Sequence, residues 1–114
     1  MFPRKISNRA IKVSINNYKL YELLKLNIRR KKALKIDSLM IAPEKFLERF
    51  GETRNEHIYY VVDGIGKIEF IDFEEKPFFI EPYSLIYIPY AVKHRIINEG
   101  SAILHIIDFI LMEF

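Results

Sequence analysis

The 114-residue sequence contains no cysteine, no tryptophan and no glutamine, and it has only four glycines. Without cysteine the chain cannot form disulfides, thiolate nucleophiles, zinc–thiolate sites or iron–sulfur clusters. Gly64 and Gly66 form a G-x-G, but the sequence holds no glycine-rich dinucleotide or phosphate-binding motif. Its apolar runs are short, and none approaches the roughly 20 residues that span a bilayer. The first residues also lack the apolar segment of a signal peptide, so we expect a cytoplasmic protein without membrane contact.

The residues that are present indicate one ordinary globular domain. Apolar residues make up 50% of the chain and charged residues 29%, which excludes a disordered polymer. Isoleucine occurs 19 times, and most charges are lysine, glutamate and arginine. This composition is typical of thermophilic proteins, although an AT-rich genome produces the same bias.

The charge is divided unevenly along the chain. Residues 1–36 contain 11 Lys or Arg and one acid, whereas residues 37–114 contain seven Lys or Arg and 14 acids. The densest basic stretch consists of Arg29, Arg30, Lys31 and Lys32. Such a segment can bind nucleic acid or another anionic partner, cover an acidic patch of a sister subunit, or lie in solvent.

From residue 57 onward the pattern is that of short β-strands separated by turns. Apolar and β-branched residues alternate, and the stretches between them are rich in proline, glycine, asparagine and glutamate. The expected strands are residues 57–62, 67–73, 78–80, 85–88, 93–97 and 102–111. Asp63-Gly64 predicts a hairpin between the first two strands. Short strands at this spacing predict an all-β sandwich or barrel.

The first half of the chain leaves alternatives open. Residues 34–41 alternate as a strand does, whereas residues 18–28 fit either one face of a helix or the alternation of a strand. Residues 43–50 fit a short helix, with proline at its start and glycine after its end, or an extended segment. We therefore expect a basic N-terminal arm or short helix over residues 1–35, packed on a β-barrel formed by residues 36–114.

Two segments of the chain resemble the two motifs of the cupin superfamily. The second motif, G-x5-P-x-G-x2-H-x3-N, is matched by Pro89, His94 and Asn98 at the required spacing. Tyr83 and Ala91 stand at its two glycine positions. The first motif, G-x5-H-x-H-x3,4-E-x6-G, is matched at its closing glycine. The resemblance implies a single small cupin barrel, which is a double-stranded β-helix or jelly roll, and it implies homodimers.

The resemblance also implies a degenerate or absent metal site. Metal-binding cupins present two histidines and one glutamate from the first motif and one histidine from the second. Counted back from Gly64, the first two histidine positions hold Gly51 and Thr53, and the glutamate position holds His57. The histidine of the second motif is His94.

The residues themselves favour a shared pocket. His57 and Tyr59 lie two positions apart on one predicted strand, so their side chains face the same way, and His94 lies on another strand. If both faces point into the barrel, the three side chains line one pocket. Two imidazoles can bind iron, manganese, nickel or zinc, with water or the carboxylate of Glu52 or Glu56 completing the shell. They equally suit a polar pocket without a metal.

Three functions are compatible with these features. The one we expect is a homodimeric, small-molecule-binding cupin with a degenerate or absent metal site, whose ligand is a sugar or a carboxylate. The first alternative is a metal-dependent enzyme of the isomerase or dioxygenase type that uses His57 and His94. Imidazoles titrate near neutrality and can move a proton within a sugar or keto acid. The second alternative is a sensor or nucleic-acid-associated protein that uses the basic segment 29–32.

Overall fold

The computed structural model describes residues 11–15, 18–51, 54–72 and 74–114, with side chains from residue 18 onward. The regular secondary structure of these residues consists of β-strands connected by turns and loops. Within these ranges no helix is long and apolar enough to cross a membrane. The strands are β1 (Ile11–Ile15), β2 (Tyr18–Arg29), β3 (Lys32–Ile41), β4 (Phe46–Arg49), β5 (Asn55–Asp63), β6 (Gly66–Phe70), β7 (Phe78–Ile80), β8 (Leu85–Ile88), β9 (His94–Asn98) and β10 (Leu104–Glu113). The all-β prediction is confirmed.

The strands form two antiparallel sheets. One has the order β1-β2-β3-β10-β5-β8 and the other the order β4-β9-β6-β7. Because β5 and β6 belong to different sheets, the predicted hairpin at Asp63-Gly64 is wrong. The turn instead carries the chain from one sheet to the other, with Gly64 at a φ of 88° and its N–H donated to the Asp63 carboxylate at 3.0 Å. An Asp-Gly pair specifies a tight turn, but it does not specify which strand the next segment will pair with.

The two segments with open alternatives are both extended. Residues 18–28 lie in β2 and pair with β3, with Tyr18 opposite Ile41. The helical alternative for residues 43–50 is wrong, because Phe46–Arg49 pair with β9. The burial of Leu47 in the core accounts for this choice, since an edge strand places its alternate side chains between the sheets. The part of the predicted N-terminal arm that spans residues 1–10 lies outside the described residues.

The hydrophobic core lies between the two sheets and follows the period-two alternation of the strands. Along β10, buried residues alternate with partly exposed ones from Leu104 to Ile110. The core residues with no exposed surface come from both sheets and include Leu39, Ile41, Tyr59, Val61, Ile68, Ile96, Leu104 and Ile106. Most inward-facing residues are therefore apolar. The few inward-facing polar residues are exceptions, and they mark the candidate site.

The backbone keeps a glycine-like conformation at both motif positions where this chain has another residue. Tyr83 has a φ of 75° and Ala91 a φ of 58°, both in the left-handed region that glycine favours. Gly51, at a φ of 78°, packs directly against the backbone of Ala91. The turns of the motif are therefore retained in geometry although two glycines are replaced.

Candidate functional site

A cavity of about 390 Å³ opens between the sheets and is lined by residues of both. One part of its wall is apolar, with side chains such as Leu47, Ile88 and Ile110. The polar part contains Lys35, Asp37, Arg49, Asn55, His57 and His94. A cavity of this size, apolar with a few convergent polar groups, is typical of small-molecule sites.

His57 is held by a buried carboxylate on the neighbouring strand. Its Nδ1 lies 3.0 Å from one oxygen of Asp108 and 3.2 Å from the other. Because a carboxylate only accepts hydrogen bonds, Nδ1 carries a proton, and Nε2 is the nitrogen left for other contacts. The Arg49 guanidinium lies 3.1 Å from Asp108, which has no exposed surface. Arg49 and His57 thus share one carboxylate at the base of the cavity.

His94 is fixed by two hydrogen bonds and stays neutral. Its Nδ1 donates to the carbonyl of Val92 at 2.8 Å, so its Nε2 accepts the hydroxyl proton of Tyr59 at 2.8 Å. Burial lowers the pKa of His94 to about 4, and the nearby positive charge of Arg49 acts in the same direction. Burial also raises the pKa of Tyr59 above its usual range, so the hydroxyl remains a donor. His94 therefore does not titrate near neutrality, contrary to the expectation from its residue type.

The structure brings together the three residues predicted to share a pocket, although His57 and His94 line the cavity and Tyr59 does not. The ring centroids of His57 and His94 are 6.4 Å apart. Tyr59 lies 5.6 Å from the ring of His57 and 5.7 Å from that of His94. The three side chains are all buried, on inward positions of β5 and β9. Their role in binding stays a prediction.

A second carboxylate faces the same cavity from β3. Asp37 lies directly opposite Asp108 in the antiparallel register of β3 and β10, and it is 1% exposed. Its Oδ2 is 3.3 Å from the Lys35 ammonium, which lies 3.9 Å from Glu22 as well. Its Oδ1 is buried and has no hydrogen-bond partner within the described part of the chain. Burial raises the pKa of Asp37, and the positive charge of Lys35 opposes that rise.

Sequence reasoning missed Asp37, Arg49 and Asp108. A signal for the two acids was present, because each interrupts an apolar strand at an inward position of the period-two pattern. Arg49 gave no such signal, since its segment fitted either a helix or a strand. The position of Arg49 at the site depends on the pairing of β4 with β9, which is a long-range contact.

The candidate carboxylate Glu56, the motif residue Asn98 and the remaining histidine, His105, do not line the cavity within the described part of the chain. Glu56 is on the outer face of β5, where its carboxylate accepts a short hydrogen bond from the Tyr87 hydroxyl and has a lowered pKa as a result. Glu52 lies outside the described residues. His105 Nε2 is paired with the Ser38 hydroxyl at 2.7 Å and does not line the cavity. Asn98 accepts the N–H of Gly100 at 2.8 Å, as expected for a residue that caps this turn.

The basic segment forms the exposed turn of the β2–β3 hairpin. Its residues Arg29, Arg30, Lys31 and Lys32 are all exposed. Lys32 lies 3.8 Å from the carboxylate of Glu113. Binding of nucleic acid by this segment stays a prediction.

The donors around the cavity do not fit a metal ion. Nε2 of His94 accepts a hydrogen bond from Tyr59, and Nδ1 of His57 donates one to Asp108. The charge of the Asp108 carboxylate is already balanced by the Arg49 cation. Among the described residues, no three His, Asp or Glu side chains are grouped so that they could hold a metal. A metal at His94 would require the Tyr59 hydroxyl to leave its acceptor.

Comparison with known proteins identifies the fold. No family model and no curated protein matches the chain. Among solved structures, the chain is similar to the capsular polysaccharide assembling protein CapF from Staphylococcus aureus, with a TM-score of 0.80 and 18% identity. That match covers 96% of this chain, which spans only 30% of CapF.

Two smaller structures match over nearly their whole length. KdgF from Halomonas sp. has a TM-score of 0.71 and 13% identity, covering 95% of this chain and 96% of KdgF. The Cupin_2 domain of an XRE family transcriptional regulator from Enterobacter cloacae has a TM-score of 0.69 and 14% identity. That match covers 83% of this chain and 96% of the domain. With its two antiparallel sheets and the retained turns of the second motif, the chain has the fold of the cupin superfamily.

Proposed function

We propose that this chain binds a small polar molecule, of the sugar or carboxylate class, in the cavity around His57 and His94, and that it does so without a resident metal ion. The observation that carries the proposal is that each histidine is already held by a protein partner, His57 by Asp108 and His94 by Tyr59. The Tyr59 hydroxyl occupies Nε2 of His94, and His57 Nε2 is the imidazole nitrogen of the pair that is left for a bound molecule.

The cavity supports small-molecule binding in size and lining. Its volume of about 390 Å³ lies in the range of known ligand pockets. One structural neighbour, CapF, is named for capsular polysaccharide assembly, which favours a carbohydrate ligand. The likeness is below 25% identity and covers 30% of CapF, so the ligand class depends on the cavity residues.

Metal content is the first test of this proposal. Protein purified without chelator and without nickel-affinity resin should contain iron, manganese, nickel and zinc far below one equivalent, before and after incubation with each ion. Near-stoichiometric metal that is lost in both His57→Ala and His94→Ala would overturn the metal-free proposal. It would favour the metal-dependent enzyme instead.

Ligand binding is tested by thermal shift with a defined panel. The probes are glucose, galactose, mannose and rhamnose, and the carboxylates glucuronate, galacturonate, pyruvate and 2-oxoglutarate. Binding raises the melting temperature in a concentration-dependent way. We expect at least one probe to do so, and His57→Gln to weaken the shift while His105→Gln preserves it. His105→Gln is a matched control, because His105 also lies on a strand but outside the cavity. No shift with any probe would contradict the proposal.

We also propose that the chain forms a homodimer through edge strands β7 and β8. Phe79 is 78% exposed and Leu85 is 68% exposed, and both belong to strands at the edge of a sheet. Exposed apolar residues on unpaired edges favour association. Light scattering should give twice the monomer mass, and Phe79→Lys with Leu85→Lys should give the monomer mass. A monomeric parent protein at micromolar concentration would contradict the dimer.

A further inference from the structure

The buried carboxylate of Asp37 is a polar group of the cavity that the described residues leave incompletely bonded. Its Oδ2 faces Lys35, whereas its Oδ1 has no partner among the described residues. A buried acceptor without a hydrogen bond costs free energy, because it has lost water and gained nothing in return. Asp37 is among the residues that line the cavity, so a molecule bound there lies next to this side chain.

The neighbouring Asp108 carboxylate is bonded differently. Although it lies opposite Asp37 on the adjacent strand, its oxygens are taken by His57 Nδ1 and by the Arg49 guanidinium. The two carboxylates are therefore not equivalent. Asp108 has a structural role in holding a histidine and an arginine, whereas Asp37 retains a free acceptor at the cavity wall.

The charged side chains around Asp37 are already paired with one another, so a charged ligand is not required to balance them. Lys35 faces the carboxylates of Asp37 and Glu22, and Arg49 faces that of Asp108. Each lysine or arginine that lines the described part of the cavity is thus already opposite a carboxylate. A ligand carboxylate would add a negative charge near Asp37 and Asp108 with no unpaired cation to receive it.

We infer that Asp37 Oδ1 accepts a hydrogen bond from a hydroxyl group of the bound molecule, which is a neutral polyhydroxylated compound of the sugar class rather than a carboxylate. This inference rests on the proposed function and selects between its two ligand classes. The Lys35 ammonium has three N–H donors, and one of them can reach an adjacent hydroxyl oxygen. An acid–lysine pair at 3.3 Å can in this way contact two neighbouring hydroxyls of one ring.

The test compares neutral sugars with their acids on the same carbon skeleton. The probes are glucose against glucuronate and galactose against galacturonate, with mannose and rhamnose as further neutral sugars and with pyruvate and 2-oxoglutarate as further carboxylates. Melting temperatures are measured over a range of probe concentrations for the parent protein, Asp37→Asn, Asp37→Leu and Asp63→Asn. Asp63→Asn makes the same chemical change at an exposed turn outside the cavity.

The expected result is a shift with at least one neutral sugar and none with the matching uronate. Apparent affinity for that sugar should fall at least tenfold in Asp37→Asn and Asp37→Leu, and it should be unchanged in Asp63→Asn. Both Asp37 variants remove an incompletely bonded buried charge, so they should melt no lower than the parent protein without probe. This separates loss of binding from loss of folding.

Other outcomes overturn the inference in distinguishable ways. Sugar binding that survives in both Asp37 variants overturns the role of Asp37 and leaves the proposed function intact. A rise in melting temperature with the carboxylates and with no neutral sugar also overturns the inference. It supports the proposed function with a carboxylate ligand. No shift with any probe overturns both.

Discussion

The Tyr59 hydroxyl donates a hydrogen bond to Nε2 of His94 at 2.8 Å, and both side chains are buried in the centre of the molecule. With Nδ1 of His94 bonded to a backbone carbonyl, the ring has one possible neutral tautomer and no free nitrogen. In this chain, the tyrosine hydroxyl and the backbone carbonyl of Val92 therefore occupy both ring nitrogens of His94.

The first prediction concerns the stability of the protein in mild acid. The pKa of His94 falls from 6.5 to about 4 on folding, because burial disfavours the imidazolium. As the pH falls, His94 is therefore protonated in the unfolded chain before it is protonated in the folded protein. Its contribution to the free energy of unfolding is complete above pH 6.5 and is lost as the pH falls toward 4. The loss is worth about 3 kcal/mol. In urea unfolding, the difference in free energy of unfolding between the parent protein and His94→Gln should decrease by this amount from pH 6.5 to pH 4.

The control for this titration is His105→Gln, which removes a histidine whose Nε2 is paired with Ser38. Because other acids titrate in the same range, the differences between proteins are compared, not the absolute stabilities. Parallel curves for the parent protein and His94→Gln between pH 6.5 and 4 would show that folding does not lower the pKa of His94.

The second prediction compares two arginines on neighbouring strands. Arg49 lies 3.1 Å from the fully buried Asp108, whereas Arg95 lies 3.7 Å from the half-exposed Glu48. Methionine retains much of the apolar stem and removes the charge. Arg49→Met should lower the free energy of unfolding by about 3–5 kcal/mol, because it leaves a buried carboxylate with one partner fewer. Arg95→Met should lower it by about 1 kcal/mol or less. Equal losses would contradict the burial of the Asp108 pair.

Much of the architecture was predictable, because local patterns determine it. The strands 78–80 and 85–88 end as predicted, since each is followed within two residues by a proline that ends its pairing. The period-two rule also put His57 and Tyr59 on one face of a strand, and the structure shows that this face is buried. Such signals lie within a few residues of one another and do not depend on the rest of the chain.

The pairing of strands and the partners of the histidines were not predictable in the same way. The Asp63-Gly64 turn suits a hairpin or a crossing between sheets, and the choice depends on the later strands β7 to β10, with which β5 and β6 pair. Asp108 contacts His57 across 51 residues of sequence. No spacing rule connects such residues, so the hydrogen-bonded partners of the two histidines emerged from the structure.

The third prediction concerns the unbound stability of the Asp37→Asn variant. The pKa of Asp37 is raised on folding because burial disfavours its charge; Lys35 and Arg49 oppose the rise and Asp108 adds to it. A raised carboxyl pKa means that the folded protein takes up the proton first. The charge therefore reduces stability above the folded-state pKa, and this penalty disappears as the pH falls below 3.8.

At pH 7, Asp37→Asn should thus be more stable than the parent protein, by about 1 kcal/mol, and the two should converge below the unfolded-state pKa. Chemical unfolding at pH 7 and pH 3.5 measures the difference, with Asp63→Asn as the control for an exposed aspartate. A variant that is less stable at pH 7 would show that the Asp37 carboxylate is fully satisfied in the folded protein.

The last prediction uses the left-handed backbone positions around the second motif. A residue with a Cβ at a φ of 58°, as at Ala91, carries roughly 1 kcal/mol of strain that glycine does not. Glycine also makes the unfolded chain more flexible, which offsets part of this gain. Ala91→Gly should therefore stabilise the protein by a few tenths of a kcal/mol, whereas Ala102→Gly, outside the left-handed region, should destabilise it by about 0.5–1 kcal/mol. Gly51→Ala should cost at least about 2 kcal/mol, because its Cβ would lie 2.7 Å from the Ala91 carbonyl carbon at a φ of 78°. Thermal unfolding of the three variants measures these differences, and a destabilised Ala91→Gly would show that the strain at Ala91 is smaller than the effect of the added flexibility of the unfolded chain.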